Sequence, residues 1–189
     1  MELLKRKILE CGKIIDGRIL KVDSFLNHQM DVALFNEIGK EFKARFQDVE
    51  VSKILTLEAS GIGIACITAQ YFKVPVLFAK KYESSNMDQE TYQSEVYSYT
   101  RDKLYKIRVA REFLHPTDKI LIIDDFLANG KAMAGLIHIV QQAGAQVAGV
   151  GIVIEKGFQK GREVVEKQGI RLESLVIIES MSSEGIVFA

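Results

Sequence analysis

The stretch that decides the fold runs from residue 120 to residue 133 and reads Ile-Leu-Ile-Ile-Asp-Asp-Phe-Leu-Ala-Asn-Gly-Lys-Ala-Met. Four consecutive apolar residues are typical of a strand that is buried on both faces, as in a parallel sheet. Asp124 and Asp125 follow this run directly, and Asn129-Gly130 leads into an amphipathic stretch from about 131 to 143. The pattern predicts a strand, a short loop and a helix, with two carboxylates at the carboxyl end of the strand.

The rest of the chain repeats this rhythm from about residue 50 onward, where apolar runs of strand length alternate with amphipathic stretches. Strands are predicted at about 53–57, 74–79, 119–123, 147–154 and 174–179, and helices at about 62–72, 131–143 and 160–168. This alternation predicts an α/β fold with an open, mostly parallel sheet flanked by helices, whose ligands bind beyond the carboxyl ends of the strands. We expect a single domain over residues 1–189, because a chain of this length buries one core.

Two segments do not follow the strand–helix rhythm. Residues 1 to about 40 are predicted to form a small, helical and irregular lobe, which we call the N-terminal hood. Residues 82 to about 105 are long, polar and rich in tyrosine, and an insertion of this length is usually functional or disordered. A flexible active-site lid and a simple surface hairpin, with Val96 to Val109 pairing, both remain open from the residues alone.

Composition excludes several classes of protein. The chain has 25 basic and 25 acidic side chains and a formal net charge of zero, which argues against a broad surface that neutralises nucleic-acid phosphates. No apolar run approaches the roughly 18 residues that a membrane span needs, and the first ten residues resemble an amphipathic helix rather than a signal peptide. Cys11 and Cys66 match no metal or redox spacing, and Cys66 is expected to be buried. We expect a soluble, cytoplasmic protein without a nucleic-acid or membrane partner.

The loop after the central strand has the chemistry of a sugar-phosphate site. Backbone amides at the following helix N-terminus suit a phosphate group, and Gly130 lets the backbone approach closely. Asp124 and Asp125 can accept hydrogen bonds from two sugar hydroxyls or hold a metal ion through water. The alternative is that these residues only end a strand and cap a helix. The segment is neither a Walker loop nor a dinucleotide fingerprint, because it lacks their glycine patterns.

The same segment resembles the phosphoribosyl diphosphate motif of the type I phosphoribosyltransferases. The resemblance extends along the chain, because Glu58-Ala59-Ser60-Gly61 stands where that family has its pyrophosphate loop, and Lys80-Lys81 follows the next strand. The N-terminal segment and Glu155-Lys156-Gly157-Phe158 are similar, more narrowly, to the bacterial xanthine phosphoribosyltransferases over essentially the full length. The resemblance implies transfer of a phosphoribosyl group from phosphoribosyl diphosphate to a purine, in purine salvage.

The resemblance also implies roles for the matching residues. Asp124 and Asp125 would hold the ribose hydroxyls. The 5′-phosphate would be wrapped by Ala128, Asn129, Gly130, Lys131 and Ala132. The diphosphate, with Mg²⁺, would lie against Glu58, Ala59, Ser60, Gly61 and Lys81. The purine would contact Leu20, Asn27 and Lys156. A homodimer is implied as well, and an intermediate that water can destroy favours the lid interpretation of residues 82–105.

The base preference can be argued from hydrogen-bond donors. Xanthine presents two carbonyl oxygens, and the Lys156 ammonium offers three donors and no acceptor, which favours a 6-oxo purine over adenine. The Asn27 amide can donate to the second carbonyl, and unpaired polar groups would reject other bases. Xanthine is therefore the expected base, with guanine, hypoxanthine and adenine as the alternatives.

Ala128 departs from part of the family. The hypoxanthine–guanine enzymes carry an aspartate at this position, where it is proposed to handle a purine proton, whereas the adenine enzymes have alanine. We therefore assign no general base to the loop. The rival from another class is a regulator that keeps the fold to sense purines, but about 40 residues before the sheet include no basic recognition helix.

Overall fold

A computed structural model of the chain describes residues 1–81, 90–98 and 103–189. The helices are α1 (Glu2–Cys11), α2 (Val32–Arg45), α3 (Ser60–Phe72), α4 (Lys131–Gln142) and α5 (Gly161–Glu166). The strands are β1 (Lys13–Ile15), β2 (Ile19–Lys21), β3 (Lys53–Leu57), β4 (Val76–Ala79), β5 (Thr91–Ser98), β6 (Lys103–Ala110), β7 (Lys119–Leu127), β8 (Gln146–Lys156), β9 (Leu172–Ser182) and β10 (Gly185–Phe188). A π-helical turn, Asp23–Asn27, and a 3-10 turn, Arg111–Phe113, complete the described elements.

The centre of the molecule is a six-stranded sheet in the order β10-β9-β8-β7-β3-β4. Its pairs β9·β8, β8·β7, β7·β3 and β3·β4 are parallel, and β10 runs antiparallel to β9 at the edge. The predicted α/β class with a mostly parallel sheet flanked by helices is thereby confirmed.

Strand β7 is covered on both faces, which explains its uninterrupted apolar run. Leu121 and Ile123 belong to the core beneath α2 and α3, whereas Ile120 and Ile122 belong to the core beneath α4. Side chains alternate between the two faces of a strand, so a strand buried on both sides needs an apolar residue at every position.

The N-terminal hood shares its core with the sheet and has none of its own. Leu4, Ile8, Leu20 and Phe25 are buried in the same cluster as Leu121. The hood is therefore fixed on one face of the sheet by burial of common apolar surface. Its small two-stranded sheet, β1 and β2, lies outside the main sheet.

The hairpin predicted at residues 96–109 is longer, since β5 and β6 pair antiparallel from Thr91 with Ala110 to Ser98 with Lys103. Val96 and Ile107 are buried and lie against α4, where a side chain at Gly135 would come within 2.8 Å of Val96 Cγ2. The expected flexible lid also includes residues 82–89 and 99–102, which lie outside the described residues. The described part is a regular hairpin packed on the molecule.

The predicted bounds differ from the observed ones mainly at strand ends. Strand β7 continues to Leu127 instead of residue 123, and β8 continues to Lys156 instead of residue 154. The added residues are held by the ladder between these two strands, in which Asp124 pairs with Ile152 and Leu127 with Glu155. Polar side chains do not end a strand when a neighbouring strand satisfies the backbone. The edge strand β10 was not predicted.

Helix α3 is almost wholly apolar, which hid its exposed face from the sequence pattern. It buries Ile64, Ala65 and Thr68, while Cys66 between them is exposed. The expectation that Cys66 is buried was therefore wrong. Across residues 1–81, 90–98 and 103–189, no helix is long and apolar enough to cross a membrane.

Two glycines of β8 let helix α2 lie directly on the sheet. A Cβ at Gly149 would come within 2.6 Å of Phe46 Cε1, and one at Gly151 within 2.8 Å of Phe42 Cε1. Both phenylalanines are fully buried. The close approach of these rings therefore depends on the missing side chains.

Gly151→Val is expected to destabilise the fold by about 1–3 kcal/mol, because the added side chain would overlap Ile123 Cδ1 and the Phe42 ring. Chemical denaturation of the purified variant measures this loss. Combining it with Phe42→Leu should cost less than the sum of the two single changes, since the smaller side chain makes room. A fully additive loss would contradict this packing account.

Candidate active site

The two adjacent carboxylates lie in the second half of β7 and are both buried. Asp124 is 7% exposed and Asp125 is 8% exposed. The Asp125 backbone N–H donates to Asp124 Oδ1 at 3.0 Å. The side chains therefore lie at the carboxyl edge of the sheet, where the fold class places its ligands.

The acid pair has an unusual charge balance. Burial, and then the nearby Asp125 carboxylate, raise the pKa of Asp124 well above its usual range, while Lys81 opposes this rise. Burial and the charge of Asp124 also raise the pKa of the Tyr105 hydroxyl, which brings this tyrosine of β6 into the field of the site. Desolvation disfavours the charged form of a carboxyl group, so the pair favours a ligand that brings positive charge or hydrogen-bond donors.

The predicted phosphate loop, residues 128–132, leaves β7 and enters α4. Gly130 has a left-handed φ of 80°, and the Lys131 backbone N–H donates to Asn129 Oδ1 at 3.0 Å. A Cβ at Gly130 would lie 3.0 Å from Gly161 Cα, so both its φ and its surroundings require glycine. Ala128 and Asn129 are half-buried and Lys131 is exposed.

Helix α4 presents its positive end at this loop. The first N–H groups of a helix have no partner within the helix, and together with the helix dipole they favour an anion. The Ala132 N–H belongs to this first turn, while that of Lys131 is engaged by Asn129. A phosphate group bound here would meet the loop backbone and the first turn of α4.

The predicted pyrophosphate turn is shorter than expected, because Ser60 and Gly61 already belong to α3. The peptide bond between Glu58 and Ala59 is cis. A Cβ at Gly61 would lie 2.0 Å from Thr56 Oγ1 and 3.1 Å from Asp124 Oδ1. Glycine at this position therefore lets the start of α3 approach the acid pair.

Lys81 links the pyrophosphate turn to the hairpin. Its backbone N–H donates to the Glu58 carboxylate, and its Nζ lies 5.8 Å from the centre of the Tyr105 ring. Its neighbour Lys80 exchanges two backbone hydrogen bonds with Arg108 of β6, each 2.9 Å long. The turn, the end of β4 and the hairpin thus meet on one side of the acid pair.

Lys156 lies on the other side, as the last residue of β8. Because Leu127 pairs with Glu155 in the β7–β8 ladder, Ala128, the first residue after β7, follows beside Lys156, the last residue of β8. Lys156 is half-buried, and burial lowers the pKa of its ammonium group. Its Nζ donates to the backbone oxygen of Arg18 at 3.4 Å.

The three residues predicted to contact the purine differ in their burial and in the element that carries them. Leu20 is buried in the main core, beside α1. Asn27 is half-buried at the end of the π-helical turn. Lys156 contacts the hood through Arg18, next to β2, which contains Leu20. The structure thus brings Lys156 and the hood together, without a hydrogen bond between Lys156 and Asn27.

A buried ion pair behind the loop was not found from the sequence. Glu155, 1% exposed, accepts hydrogen bonds from Arg162 Nε at 2.8 Å, from Arg162 Nη2 at 2.6 Å and from the Ser174 hydroxyl. These three residues come from β8, α5 and β9, so no local spacing connects them. The sequence offered one signal of this ion pair. Glu155 follows an apolar run directly, and a buried charge needs a partner.

The side chains near the acid pair show how a Mg²⁺ ion could be held. Within the described parts of the chain, no group of three or more histidine, cysteine, aspartate or glutamate side chains forms a metal-binding cluster. Asp124 and Asp125 offer two carboxylates. Mg²⁺ typically binds one or two carboxylates together with substrate phosphates and water, and the acid pair fits that pattern.

Comparison with known proteins identifies the family of the chain. The model of the Phosphoribosyl transferase domain matches residues 27–184. The chain is 62% identical over 188 residues to a xanthine phosphoribosyltransferase of Clostridium novyi, covering 100% of this chain and 99% of the relative. It is 58% identical over 189 residues to a xanthine phosphoribosyltransferase of Laribacter hongkongensis, covering 100% of both chains.

Solved structures agree in fold. An adenine phosphoribosyltransferase of Trypanosoma brucei, in complex with AMP, pyrophosphate and ribose-5-phosphate, has a TM-score of 0.80 at 18% identity, covering 96% of this chain and 82% of that one. A Giardia lamblia enzyme complexed with 9-deazaadenine has a TM-score of 0.77 at 22% identity, covering 92% of this chain and 97% of that one. The domain match and the full-length relatives show that the chain belongs to the phosphoribosyltransferase family.

Proposed function

We propose that this protein transfers the phosphoribosyl group of 5-phospho-α-D-ribose 1-diphosphate to xanthine, giving xanthosine 5′-monophosphate and diphosphate. The observation that carries the proposal is the identity of 62% with a xanthine phosphoribosyltransferase over the whole chain. The geometry supports it, because Asp124, the Gly130 loop after β7 and Lys156 lie toward the carboxyl ends of two neighbouring parallel strands.

The acid pair and the loop would hold the sugar phosphate. The carboxylates of Asp124 and Asp125 accept hydrogen bonds from the two ribose hydroxyls, and the backbone of residues 128–132 encloses the 5′-phosphate. Fixing the sugar at both ends orients its anomeric carbon. Orientation of two bound reactants lowers the barrier because their motional freedom is given up on binding rather than in the reaction.

The reaction exchanges one bond for another at the anomeric carbon. A purine ring nitrogen forms the new bond to this carbon, and the bond to the diphosphate oxygen breaks, with the electron pair leaving on the diphosphate. The proton on this nitrogen passes to water, and we assign it to no residue of the phosphate loop, because position 128 is alanine. Positive charge develops on the sugar, as in glycosidic bond cleavage.

The departing diphosphate faces the start of α3 and Lys81. The first N–H groups of α3 and the lysine ammonium stabilise the negative charge as it develops. Mg²⁺, brought with the substrate, would neutralise further charge on the diphosphate.

Lys156 would recognise the purine through a hydrogen bond. Its ammonium group donates to a backbone oxygen of the hood in the described structure, and a 6-oxo group of the base would take the place of that oxygen. Adenine carries an amino group at the same ring position and would leave donor facing donor. A half-buried site makes such a mismatch costly.

The hairpin of β5 and β6 would limit the access of water to the reacting carbon. Its Tyr105 lies close enough to Asp124 for the carboxylate to shift its pKa. Exclusion of water protects a charged intermediate from hydrolysis. A homodimer, implied by the family resemblance, and a cytoplasmic location, expected from the composition, remain predictions.

Release of diphosphate from phosphoribosyl diphosphate, measured in parallel with xanthine, guanine, hypoxanthine and adenine, tests the function. Xanthine is expected to have the highest kcat/KM, and adenine to be at least about a hundred-fold poorer because it mispairs with Lys156. A higher kcat/KM for another purine would contradict the base assignment. Absence of release with all four bases would contradict the function itself.

Asp125→Asn is expected to reduce kcat/KM by about a hundred-fold or more without unfolding the protein, because the sugar loses its orientation. Asp124→Asn should have a similar effect on activity. It should also raise Tm at about pH 8, because the fold raises the pKa of Asp124 above its ordinary value of 3.8 and ionisation therefore costs stability.

The sign of this effect defines its pH range. A carboxyl group with a raised pKa destabilises the fold as the pH rises from 3.8 through the raised pKa, so the gap in Tm should close toward pH 3.8. Thermal melts of both proteins across pH measure it. Wild-type activity in both asparagine variants would contradict the ribose assignment, and a Tm gap that does not depend on pH would contradict the charge account.

Lys156→Met is expected to raise KM for xanthine roughly ten- to hundred-fold, because it removes a charged hydrogen-bond donor. KM for phosphoribosyl diphosphate should change little. In the wild type, burial lowers the pKa of Lys156, so KM for xanthine should begin to rise at a lower alkaline pH than for an exposed lysine. The matched control is Lys167→Met just after α5, an exposed lysine paired with Glu163. Unchanged xanthine kinetics in Lys156→Met would remove this residue from the base site.

A further inference from the structure

The outer side of the phosphate loop rests on the first residues of α5. The Gly161 backbone N–H donates to the Ala128 backbone oxygen at 2.9 Å. A Cβ at Gly161 would lie 2.5 Å from that oxygen and 2.7 Å from Leu127 Cγ. The loop is therefore held from behind by a backbone contact that leaves no space for a side chain.

The residue after Gly161 anchors this support to the sheet. Arg162 binds both oxygens of the Glu155 carboxylate, at 2.8 and 2.6 Å. The Ser174 hydroxyl donates to the same carboxylate from β9, and Arg162 Nη1 reaches Glu166 at 3.0 Å. The guanidinium group thus has a fixed position, set by two bonds to a buried anion.

The placement of this pair along the chain is informative. Arg162 follows Gly161, which supports the phosphate loop, and Glu155 precedes Lys156, which faces the hood. Glu155 itself pairs with Leu127, the last residue before the loop. One ion pair therefore connects the structure behind the phosphate loop with the strand end that carries the base-side lysine.

Stability alone is a weak reason for such a pair. Glu155 is taken out of water while Arg162 stays one third exposed. The desolvation of such a carboxylate costs about as much as the attraction returns, and apolar residues often replace such pairs without loss. A buried, doubly bonded pair does restrict geometry, because its two parallel hydrogen bonds tolerate little displacement.

We propose that Arg162 is a positioning residue, which holds the phosphate loop at its binding geometry through Gly161 and Glu155 without touching the substrate. The inference rests on the proposed function, since it concerns the affinity of the proposed phosphate loop. Loss of Arg162 leaves the residues of the phosphate loop unchanged but removes the ion pair that holds the structure behind the loop. Weaker binding of a sugar 5′-phosphate follows, because the loop amides then lose their orientation before the ligand binds.

Arg162→Met and Arg162→Lys test the inference, with Arg171→Met as the matched control. Arg171 also makes several bonds, to Glu173 and Asp48 and to the backbone of Arg45. It precedes β9 and so lies at the amino ends of the parallel strands, opposite the phosphate loop. Titration calorimetry with ribose 5-phosphate measures affinity apart from catalysis. Steady-state kinetics give KM for each substrate, and thermal melts give Tm.

Arg162→Met is expected to weaken ribose 5-phosphate binding and to raise KM for phosphoribosyl diphosphate, both by about tenfold. Arg162→Lys should lie between this variant and the wild type, since lysine keeps the charge but loses the two-pronged geometry. Arg171→Met should keep wild-type affinity even where its Tm falls. If Arg162→Met does not fold, the comparison of Arg162→Lys with Arg171→Met decides.

Three results would overturn part of this account. Wild-type affinity for ribose 5-phosphate in a folded Arg162 variant would overturn the positioning role while leaving the enzyme's function intact. An equal loss of affinity in Arg171→Met would assign the effect to general stability. A wild-type protein that binds no ribose 5-phosphate would overturn the phosphate-loop assignment, on which the inference rests.

Discussion

Burial of β7 on both of its faces is the constraint on which the rest of the molecule depends. Ile120 and Ile122 complete one core, and Leu121 and Ile123 complete the other. Charged side chains are costly within such a strand, so the acid pair can stand only toward its carboxyl end. The same burial desolvates Asp124 and raises its pKa. Stability of the fold and the chemistry of the site thus come from one strand. Its apolar burial offsets the free-energy cost of desolvating the acid pair.

The ladder between β7 and β8 sets the distance between the two halves of the proposed site. Pairing of Leu127 with Glu155 brings the start of the phosphate loop beside Lys156. Behind these strand ends, Gly161 and Gly130 allow α5 and the loop to approach closely. The β7–β8 ladder and the close backbone contact at Gly161 both leave little freedom of movement. Rigid elements hold binding groups more accurately than free loops do. The geometry is suited to aligning a sugar phosphate with a purine.

Two attached segments cover this edge of the sheet from opposite sides. The hood shares the sheet's core and reaches Lys156 through the backbone oxygen of Arg18. The hairpin is joined to β4 by the Lys80–Arg108 bridge and packs on α4 beside Gly135. Both therefore rest on the sheet through apolar burial and backbone bonds. Exclusion of water by the hairpin, as proposed, would strengthen the electrostatic interactions inside the site.

The sequence by itself determined the parts of this protein that depend on neighbouring residues. The apolar run, the acid pair and Gly130 indicated a strand, a loop and a helix at residues 120–133, and β3 was predicted with its observed bounds. Only the tertiary structure decided that β7 extends through the acid pair, that Arg162 binds Glu155, and that Lys156 meets a hood residue 138 positions away. Hydrophobic periodicity reports which face of an element is buried, whereas contacts between distant segments depend on strand register and on how closely helices approach the sheet.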